Sequence, residues 1–270
     1  MASLTTNDGA ALSYTDQGNG RPIFLFVHGW ATDRSIWDPQ VEDLSHGYRC
    51  IAIDLRGRGE SSPVPPFGIQ SAVHDIGALI EHLGVGPVIV VGHDLGGIIA
   101  LELNRTYPQF VCGIVMADPP LNAAEDGRLA RNAEAIREEG STRAFREAVD
   151  TFFSSSTPHD VREQVRKLIL DCPADIAAGM FDGAENLPDE LRDLIRRADD
   201  KPFMALWSMD PVGDPDELRR FTMFLRQEPV ANGGHFLQLD QPKLTNALIR
   251  SFVDDVIRDP RLEQAGIQPA

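Results

Sequence analysis

The sequence predicts an α/β fold in which a mostly parallel sheet carries helices on both faces. Short apolar runs recur along the first 120 residues, a helical pattern separates two of them, and the same texture returns after residue 200. Continuous apolar runs that end in turn formers are typical of strands buried on both faces. The repeated order of strand, helix and strand favours a parallel sheet.

Six apolar runs mark the predicted strands of this sheet. They are PIFLFVHG (22–29), RCIAIDLRG (49–57), PVIVVGHD (87–94), CGIVMADPP (112–120), KPFMALWSMDP (201–211) and LRQEPVANGGHF (225–236). The opening stretch AALSYTDQGNGRP alternates apolar and polar residues and is rich in turn formers. It therefore predicts a leading antiparallel hairpin.

Helical spacing appears in two segments of the predicted core. Between the second and third runs the apolar residues are Ile69, Val73, Ile76, Ile80 and Leu83. Gly84 follows directly and can end that helix. A closing helix is predicted over 243–257, with Leu244, Leu248, Phe252 and Val253 along one side.

Residues 121–200 have a different texture, because they are charged and amphipathic and contain no strand-like run. This segment predicts several helices inserted between strands. We therefore expect a core formed by residues 1–120 and 201–270, with residues 121–200 as a helical lid over the sheet.

Composition restricts the partners and the compartment. The net charge of −16 argues against nucleic acid and anionic membranes as partners, because their phosphates would be repelled. The N-terminus lacks the basic and apolar regions of a signal peptide, and no stretch has the roughly 20 apolar residues of a membrane span. We expect a cytoplasmic enzyme, a monomer or homodimer, that takes a small apolar substrate. Cys50, Cys112 and Cys172 lie in or beside apolar runs without a metal-binding or redox spacing, which favours buried thiols.

The chemistry is expected at the carboxyl ends of the strands, where ligands bind in open parallel sheets. The polar or aromatic residues that follow the runs are His28, Trp30, Asp54, Arg56, Asp94, Asp118, Asp210 and His235. Asp94 is notable because it stands at the centre of GHDLG, between a predicted strand and a predicted helix.

GHDLG resembles the nucleophile elbow of the α/β-hydrolase fold, in which two glycines flank the central residue of a sharp turn. HGW at 28–30 resembles the oxyanion-hole loop of that family, DLRGRGESS at 54–62 its following strand and turn, and GGHFLQLDQP at 233–242 its histidine loop. The resemblance covers the chain outside the lid. It implies the α/β-hydrolase fold, with an eight-stranded, mostly parallel sheet and an inserted helical lid.

The elbow carries aspartate where serine is usual, which resembles epoxide hydrolases, haloalkane dehalogenases and fluoroacetate dehalogenases. A carboxylate at a helix N-terminus stays ionised and can attack an electrophilic carbon without a base. The resemblance then implies that His235 activates water to hydrolyse the ester formed on Asp94, while the N–H groups of Trp30 and Leu95 hold the oxyanion. Alternatively, Asp94 only caps the helix that begins at Leu95.

Two of the accompanying assignments stay open. The acid that orients His235 is either Asp118, which ends GIVMAD, or Asp210 in LWSMDPV, and we slightly prefer Asp118. His28 has a structural role or a catalytic role with equal weight. Candidates to line an apolar substrate pocket are Phe152, Phe153, Ile176, Met180, Phe181 and Trp207, although lid packing explains the lid residues equally well.

Each aspartate-elbow family differs from this chain in some feature. Leu95 stands where haloalkane dehalogenases place tryptophan, and LGGIIALEL (95–103) lacks the arginines that fluoroacetate dehalogenases place just beyond the elbow. Epoxide hydrolases use tyrosines of the lid to polarise the epoxide oxygen, but all three tyrosines of this chain precede the predicted lid. The substrate is therefore an epoxide, a halide, or an ester or lactone carbon. A weaker resemblance, to cofactor-independent quinolone dioxygenases, implies instead that a His235–Asp dyad acts as a base. A non-catalytic binding module is the third hypothesis. No nucleotide or metal motif is present, so we expect no cofactor and no metal.

Overall fold

The computed structural model describes residues 2–121, 126–140 and 145–264, and its centre is an eight-stranded sheet. The strands are β1 (Ala2–Thr5), β2 (Ala11–Gln17), β3 (Ile23–Val27), β4 (Arg49–Ile53), β5 (Val88–His93), β6 (Val111–Ala117), β7 (Phe203–Trp207) and β8 (Arg226–Pro229). Their order across the sheet is β1-β2-β4-β3-β5-β6-β7-β8. In this order, every neighbouring pair from β4 to β8 is parallel, whereas the pairs β1–β2 and β2–β4 are antiparallel. The predicted sheet is confirmed. A leading antiparallel hairpin is present, but β1 and β2 form it over residues 2–17, whereas the stretch predicted to form it, 10–22, contains β2 alone.

The central strands are apolar because helices cover both faces of the sheet. Every residue of β3, β5, β6 and β7 is buried. The helices before residue 121 are α1 (Asp38–Leu44), α2 (Ile69–Leu83) and α3 (Leu95–Thr106). Those after residue 200 are α9 (Pro215–Phe221), α10 (Leu237–Asp240), α11 (Pro242–Ile257) and α12 (Pro260–Gln264), and α4 to α8 lie between the two groups. Across the described ranges, no helix combines the length and the apolar character needed to cross a membrane.

The two helices predicted from spacing are present, with one difference in detail. Gly84 ends α2 in the left-handed conformation, with φ of 59°. The buried side of α11 includes Thr245, Asn246 and Ile249, whereas Leu244 is 37% exposed. The predicted apolar side was therefore misplaced at its first turn, because polar contacts of Asn246 with α1 set the rotation of the helix there.

In the described part of the segment between β6 and β7, the regular secondary structure is helical, with turns and loops between the helices. Its helices are α4 (Arg128–Glu139), α5 (Arg146–Thr151), α6 (His159–Leu170), α7 (Ala174–Gly179) and α8 (Leu187–Ala198). Helix α4 packs on α7, and α8 packs on α3 of the core. Residues 121–200 as a separate lid remain a prediction.

The three cysteines are buried and unpaired. Burial raises the pKa of Cys50 and of Cys112 to about 12, and that of Cys172 to about 11. The thiolate is the reactive form of cysteine, so these thiols are kept unreactive, as the prediction of buried thiols requires.

Candidate active site

Asp94 lies at the turn between β5 and α3, with a φ of 50° and a ψ of −122°. Side chains other than glycine rarely adopt this conformation, which costs about 1–3 kcal/mol. The two flanking glycines make the turn possible, since a Cβ on Gly92 would lie 2.1 Å from the Gly96 oxygen, and one on Gly96 would lie 2.4 Å from the Val27 oxygen. The strained turn lifts the carboxylate of Asp94 out of the sheet.

One oxygen of this carboxylate is held by the preceding loop. The N–H of Trp30 donates to Oδ2 of Asp94 at 2.9 Å. Gly29 allows this approach, because a Cβ there would lie 2.8 Å from the same oxygen. Leu95 begins α3, and an N–H group in the first turn of a helix has no acceptor within the helix. The positive end of the α3 dipole further favours a negative charge at Asp94.

His235 and Asp118 form the second part of the site. Nδ1 of His235 is 2.8 Å from Oδ2 of Asp118, and the two side chains are 5% and 0% exposed. The N–H of Ser208 donates to the other oxygen of Asp118 at 3.2 Å. Nε2 of His235 faces Oδ1 of Asp94 at 3.9 Å, which is longer than a hydrogen bond. Asp118 therefore orients the imidazole so that Nε2 points towards Asp94.

Burial and three carboxylates act on the protonation of His235. Burial alone would lower the pKa of its imidazole, but the hydrogen bond and charge of Asp118, together with the charges of Asp94 and Asp240, raise it above the usual value. Neutralising Asp94 would remove part of that support and lower the pKa of His235.

The two candidate acids occupy different environments. Asp118 follows β6 with a φ of 45° and is fully buried against His235. Asp210 follows β7 at an exposed position. The geometry favours Asp118 as the orienting acid, in agreement with the slight preference from sequence, and does not support Asp210.

His28 makes the contacts of a structural residue. Its ring is fully buried, with Nδ1 2.9 Å from the Gly29 oxygen and Nε2 accepting the N–H of Leu55 at 2.9 Å. Burial lowers the pKa of His28 to about 4, so the ring is neutral near pH 7 and its Nδ1–H donates to Gly29. These bonds fix the loop that presents the N–H of Trp30.

A cavity of about 180 Å³ opens over Asp94 and His235. The residues that line it are mainly apolar: Trp30, Asp94, Pro120, Arg128, Leu129, Asn132, Phe145, Phe152, Ile169, Phe181, Val212, His235 and Phe236. Within the described chain, no group of three or more His, Cys, Asp or Glu side chains is arranged to hold a metal ion. The predicted pocket residues Phe152 and Phe181 are part of the lining.

Four other predicted pocket residues, Phe153, Ile176, Met180 and Trp207, are placed elsewhere, which corrects the expectation from sequence. Ile176 is 4% exposed and lies against Gly57, where a Cβ would come 2.8 Å from its Cδ1. The ring of Phe153 lies under the guanidinium groups of Arg162 and Arg166. Met180 is 1% exposed, and its sulfur accepts the N–H of Ala31. Trp207 is buried and donates its Nε1–H to a glutamine of β8 at 2.6 Å. Each is committed to packing or to a polar partner outside the cavity.

The contribution of α4 and of the residues around it to the cavity wall was not predicted from the sequence. Arg128 and Asn132 are four residues apart on α4, so they lie on one face of the helix and both line the cavity. Phe145 also lines it, with its ring 5.1 Å from that of Trp30. The spacing of Arg128 and Asn132 was visible in the sequence, but nothing there indicated which way that face would point.

Comparison with known proteins identifies the family of this chain. A model of the alpha/beta hydrolase family matches residues 24–248. The chain belongs to the α/β-hydrolase family. The family, the fold and the expectation of an enzyme drawn from the elbow motif are thereby confirmed, and the hypothesis of a non-catalytic binding module loses its support.

Relatives cover almost the whole chain at modest identity. The chain is similar to 3-oxoadipate enol-lactonase 2 of Acinetobacter baylyi, with 27% identity over 93% of this chain and 96% of that protein. It is also similar to epoxide hydrolase 4 of Mus musculus, with 25% identity over 93% and 79% of the two chains. Among solved structures, a thermophilic esterase from Thermogutta terrifontis superposes with a TM-score of 0.82 at 28% identity, covering 94% of this chain and 98% of that one.

Proposed function

We propose that this hydrolase uses Asp94 as a covalent nucleophile on a small, largely apolar substrate, and that His235 then activates water. The observation that carries this proposal is the division of labour between the two oxygens of Asp94. Oδ2 accepts the N–H of Trp30 at 2.9 Å, while Oδ1 faces Nε2 of His235. A carboxylate needs no base for its attack, so it does not require a hydrogen bond to the histidine.

In the first step, Oδ1 of Asp94 forms a bond to an electrophilic carbon, and the bond from that carbon to its leaving heteroatom breaks. The electron pair of the broken bond moves to the heteroatom. Oδ2 becomes the carbonyl oxygen of the new ester and stays beside the N–H of Trp30. The N–H of Leu95, at the start of α3, is the proposed second donor of this oxyanion hole.

In the second step, Nε2 of His235 removes a proton from water, and the resulting hydroxide attacks Cγ of Asp94. Negative charge then develops on Oδ2, which the N–H of Trp30 stabilises until the Cγ–Oδ1 bond breaks. The departing alkoxide takes the proton from His235 and leaves as an alcohol, and Asp94 loses the proton of the added hydroxyl to regain its charge. Because the ester no longer carries the charge of Asp94, the pKa of His235 falls, so a larger fraction of the imidazole is neutral and can accept the proton of water. Asp118 stabilises the imidazolium that forms.

The choice among substrate carbons follows from the nucleophile. The relatives include an enol-lactonase and an epoxide hydrolase by name, so lactone, ester and epoxide carbons are all candidates. Attack of a carboxylate on an ester or lactone carbonyl would give an anhydride, whereas attack on an alkyl carbon gives an ester that water can then open. We therefore favour an epoxide or a halide carbon. No cofactor enters either step.

The leaving heteroatom also needs a hydrogen-bond donor opposite Asp94, because it gains negative charge. Among the polar side chains that line the cavity, Trp30 gives its Nε1–H to the Ala177 oxygen, and Nε of Arg128 pairs with Asp126. The amide of Asn132 makes no hydrogen bond with any residue that the structure describes. We therefore assign to Asn132 the role of donor to the leaving heteroatom, which tyrosines of the lid fill in epoxide hydrolases.

The test is the intact mass of a His235→Gln variant after incubation with epoxides, haloalkanes, esters and lactones. If Asp94 is the nucleophile, removal of the base leaves the ester in place, and the added mass identifies the substrate class. His46→Gln, at an exposed position, is the matched control and should show no lasting adduct. Turnover by the wild type without any adduct in the variant would disprove the covalent route. Turnover that requires dissolved oxygen would favour the dioxygenase alternative.

A further inference from the structure

Asp240 connects the histidine loop to the lid region. It ends α10, five residues after His235, and is 8% exposed. One of its oxygens, Oδ2, accepts two hydrogen bonds, from the N–H of Gly234 at 2.7 Å and from the hydroxyl of Thr157 at 2.8 Å. The carboxylate therefore bridges the residue before His235 and a segment that follows α5.

Further contacts run in parallel with this bridge. The N–H of His235 donates to the Phe152 oxygen at 2.8 Å, and the two rings are 4.8 Å apart. The hydroxyl of Ser156 donates to the Asn232 oxygen at 2.7 Å. Residues 152–157 and 232–235 are thus joined along their length, and Phe152 belongs to both this joint and the cavity wall.

Fold stability alone does not account for a carboxylate at this position. Burial raises the pKa of Asp240, which shows that its charge is costly there, and its Oδ1 has no partner among the described residues. A buried acceptor without a partner costs free energy, so an apolar residue would be the expected choice for packing. Asp240 does not line the cavity, which distinguishes it from the residues that would touch substrate.

We propose that Asp240 is a positioning residue that, through Thr157 and Gly234, locks segment 152–157 against the loop carrying His235. The lock fixes Nε2 of His235 relative to Asp94 and holds Phe152 in the cavity wall. Its kinetic consequence rests on the proposed function, in which the first step needs Asp94 and only the second step needs His235. Weakening the lock should therefore slow ester breakdown and leave ester formation nearly unchanged.

The experiment compares Thr157→Val with Thr157→Ser and with Thr151→Val. Valine has the shape of threonine without the hydroxyl, and serine restores it. Thr151 is the matched control, because among the described residues its exposed hydroxyl bonds only to the Ala148 oxygen of its own helix. In single-turnover intact-mass measurements with an epoxide, Thr157→Val should slow ester breakdown about tenfold, with formation within about twofold of wild type. Thr157→Ser and Thr151→Val should behave as wild type.

Hydrogen exchange gives a readout that does not depend on the chemistry. In Thr157→Val, the amides of residues 152–157 and the amide of His235 should exchange faster together, by about tenfold, while Thr151→Val leaves the His235 amide unchanged. Asp240→Asn, which keeps an acceptor oxygen but removes the charge, should make the same amides exchange faster by a smaller factor. Its readout is exchange alone, because the charge of Asp240 also raises the pKa of His235 directly.

Three outcomes would overturn the proposal. One is unchanged exchange at His235 in Thr157→Val. The second is equal slowing of ester formation and ester breakdown in Thr157→Val. The third is unchanged ester breakdown in this variant although its amides exchange faster. Either result would show that the contact of Thr157 with Asp240 does not act through His235. If no ester forms even in His235→Gln, the proposed function fails, and the exchange measurement alone decides whether the lock exists.

Discussion

The cavity has two sides that are built in different ways. On the sheet side, Asp94, Asp118 and His235 are each held by a hydrogen bond to a backbone N–H or to a buried partner. We call the opposite side the lid side, because Phe145 and Phe181 belong to the predicted lid. The centroids of these two rings lie 5.1 and 5.5 Å from that of Trp30.

This difference separates chemistry from selectivity. Hydrogen bonds fix the direction of a side chain, whereas apolar contacts depend mainly on the area that they bury. The sheet side therefore fixes the direction of the proposed reacting groups, and we expect the lid side to determine the size and polarity of the substrate. Substitutions on the sheet side should abolish turnover, and those on the lid side should change which substrates are used.

The largest effect is expected for Asp94→Asn. Asparagine keeps an oxygen that can accept the N–H of Trp30, but it cannot attack carbon. The turnover number should fall by about 10⁴-fold or more, as for removal of other catalytic nucleophiles. Steady-state kinetics with the substrate found by the mass experiment measures this fall. Activity within tenfold of wild type would show that the elbow residue is not the nucleophile.

A pair of variants tests which acid serves His235. Asp118→Asn places an amide against Nδ1, which no longer stabilises the imidazolium, so turnover should fall by about 10³- to 10⁴-fold. Asp210→Asn, at the exposed position after β7, should stay within about twofold of wild type. The two values of kcat/KM, measured side by side, decide the assignment. A larger loss in Asp210→Asn would reverse it.

The sequence predicts the sheet side well because its information is local. Glycines on either side of Asp94 and the loop around His235 are readable within a few residues, and apolar runs place both at strand ends. The choice between Asp118 and Asp210 is different in kind. It depends on which of two neighbouring strand ends lies under the imidazole, a distance that no short motif contains.

The lid side is predicted poorly for a related reason. Phe152 and Phe153 are adjacent in sequence, yet one lines the cavity and the other lies under two arginines. Composition does not distinguish such neighbours, because the rotation of each segment is set by tertiary packing. The same holds for Arg128 and Asn132, whose shared helix face was readable although its direction was not.

On the sheet side, His28 should give a pH dependence of stability. Its pKa is about 4 in the folded protein and about 6.5 when unfolded, so its contribution is complete above pH 6.5 and is lost as the pH falls through 4. His28→Leu should cost about 1–3 kcal/mol at pH 7.5, because the Leu55 N–H loses its acceptor. Urea unfolding at pH 7.5 and 4 should show that the difference in unfolding free energy falls by roughly 3 kcal/mol, so that at pH 4 it closes or changes sign. A gap that does not change with pH would contradict the neutral, buried state of His28.

On the lid side, Asn132→Leu should give the smallest effect and the most specific one. Leucine has the same branching and the same number of side-chain heavy atoms, so the cavity keeps a similar shape but loses a donor for the leaving heteroatom. We expect kcat to fall about tenfold while KM for an apolar substrate changes little, because the lost bond strengthens only in the transition state. Phe145→Ala should do the reverse and raise KM with little change in kcat, and Glu134→Gln, exposed on the same helix, should do neither. If Asn132→Leu changes KM alone, Asn132 contributes shape only, and Arg128 becomes the candidate donor on α4.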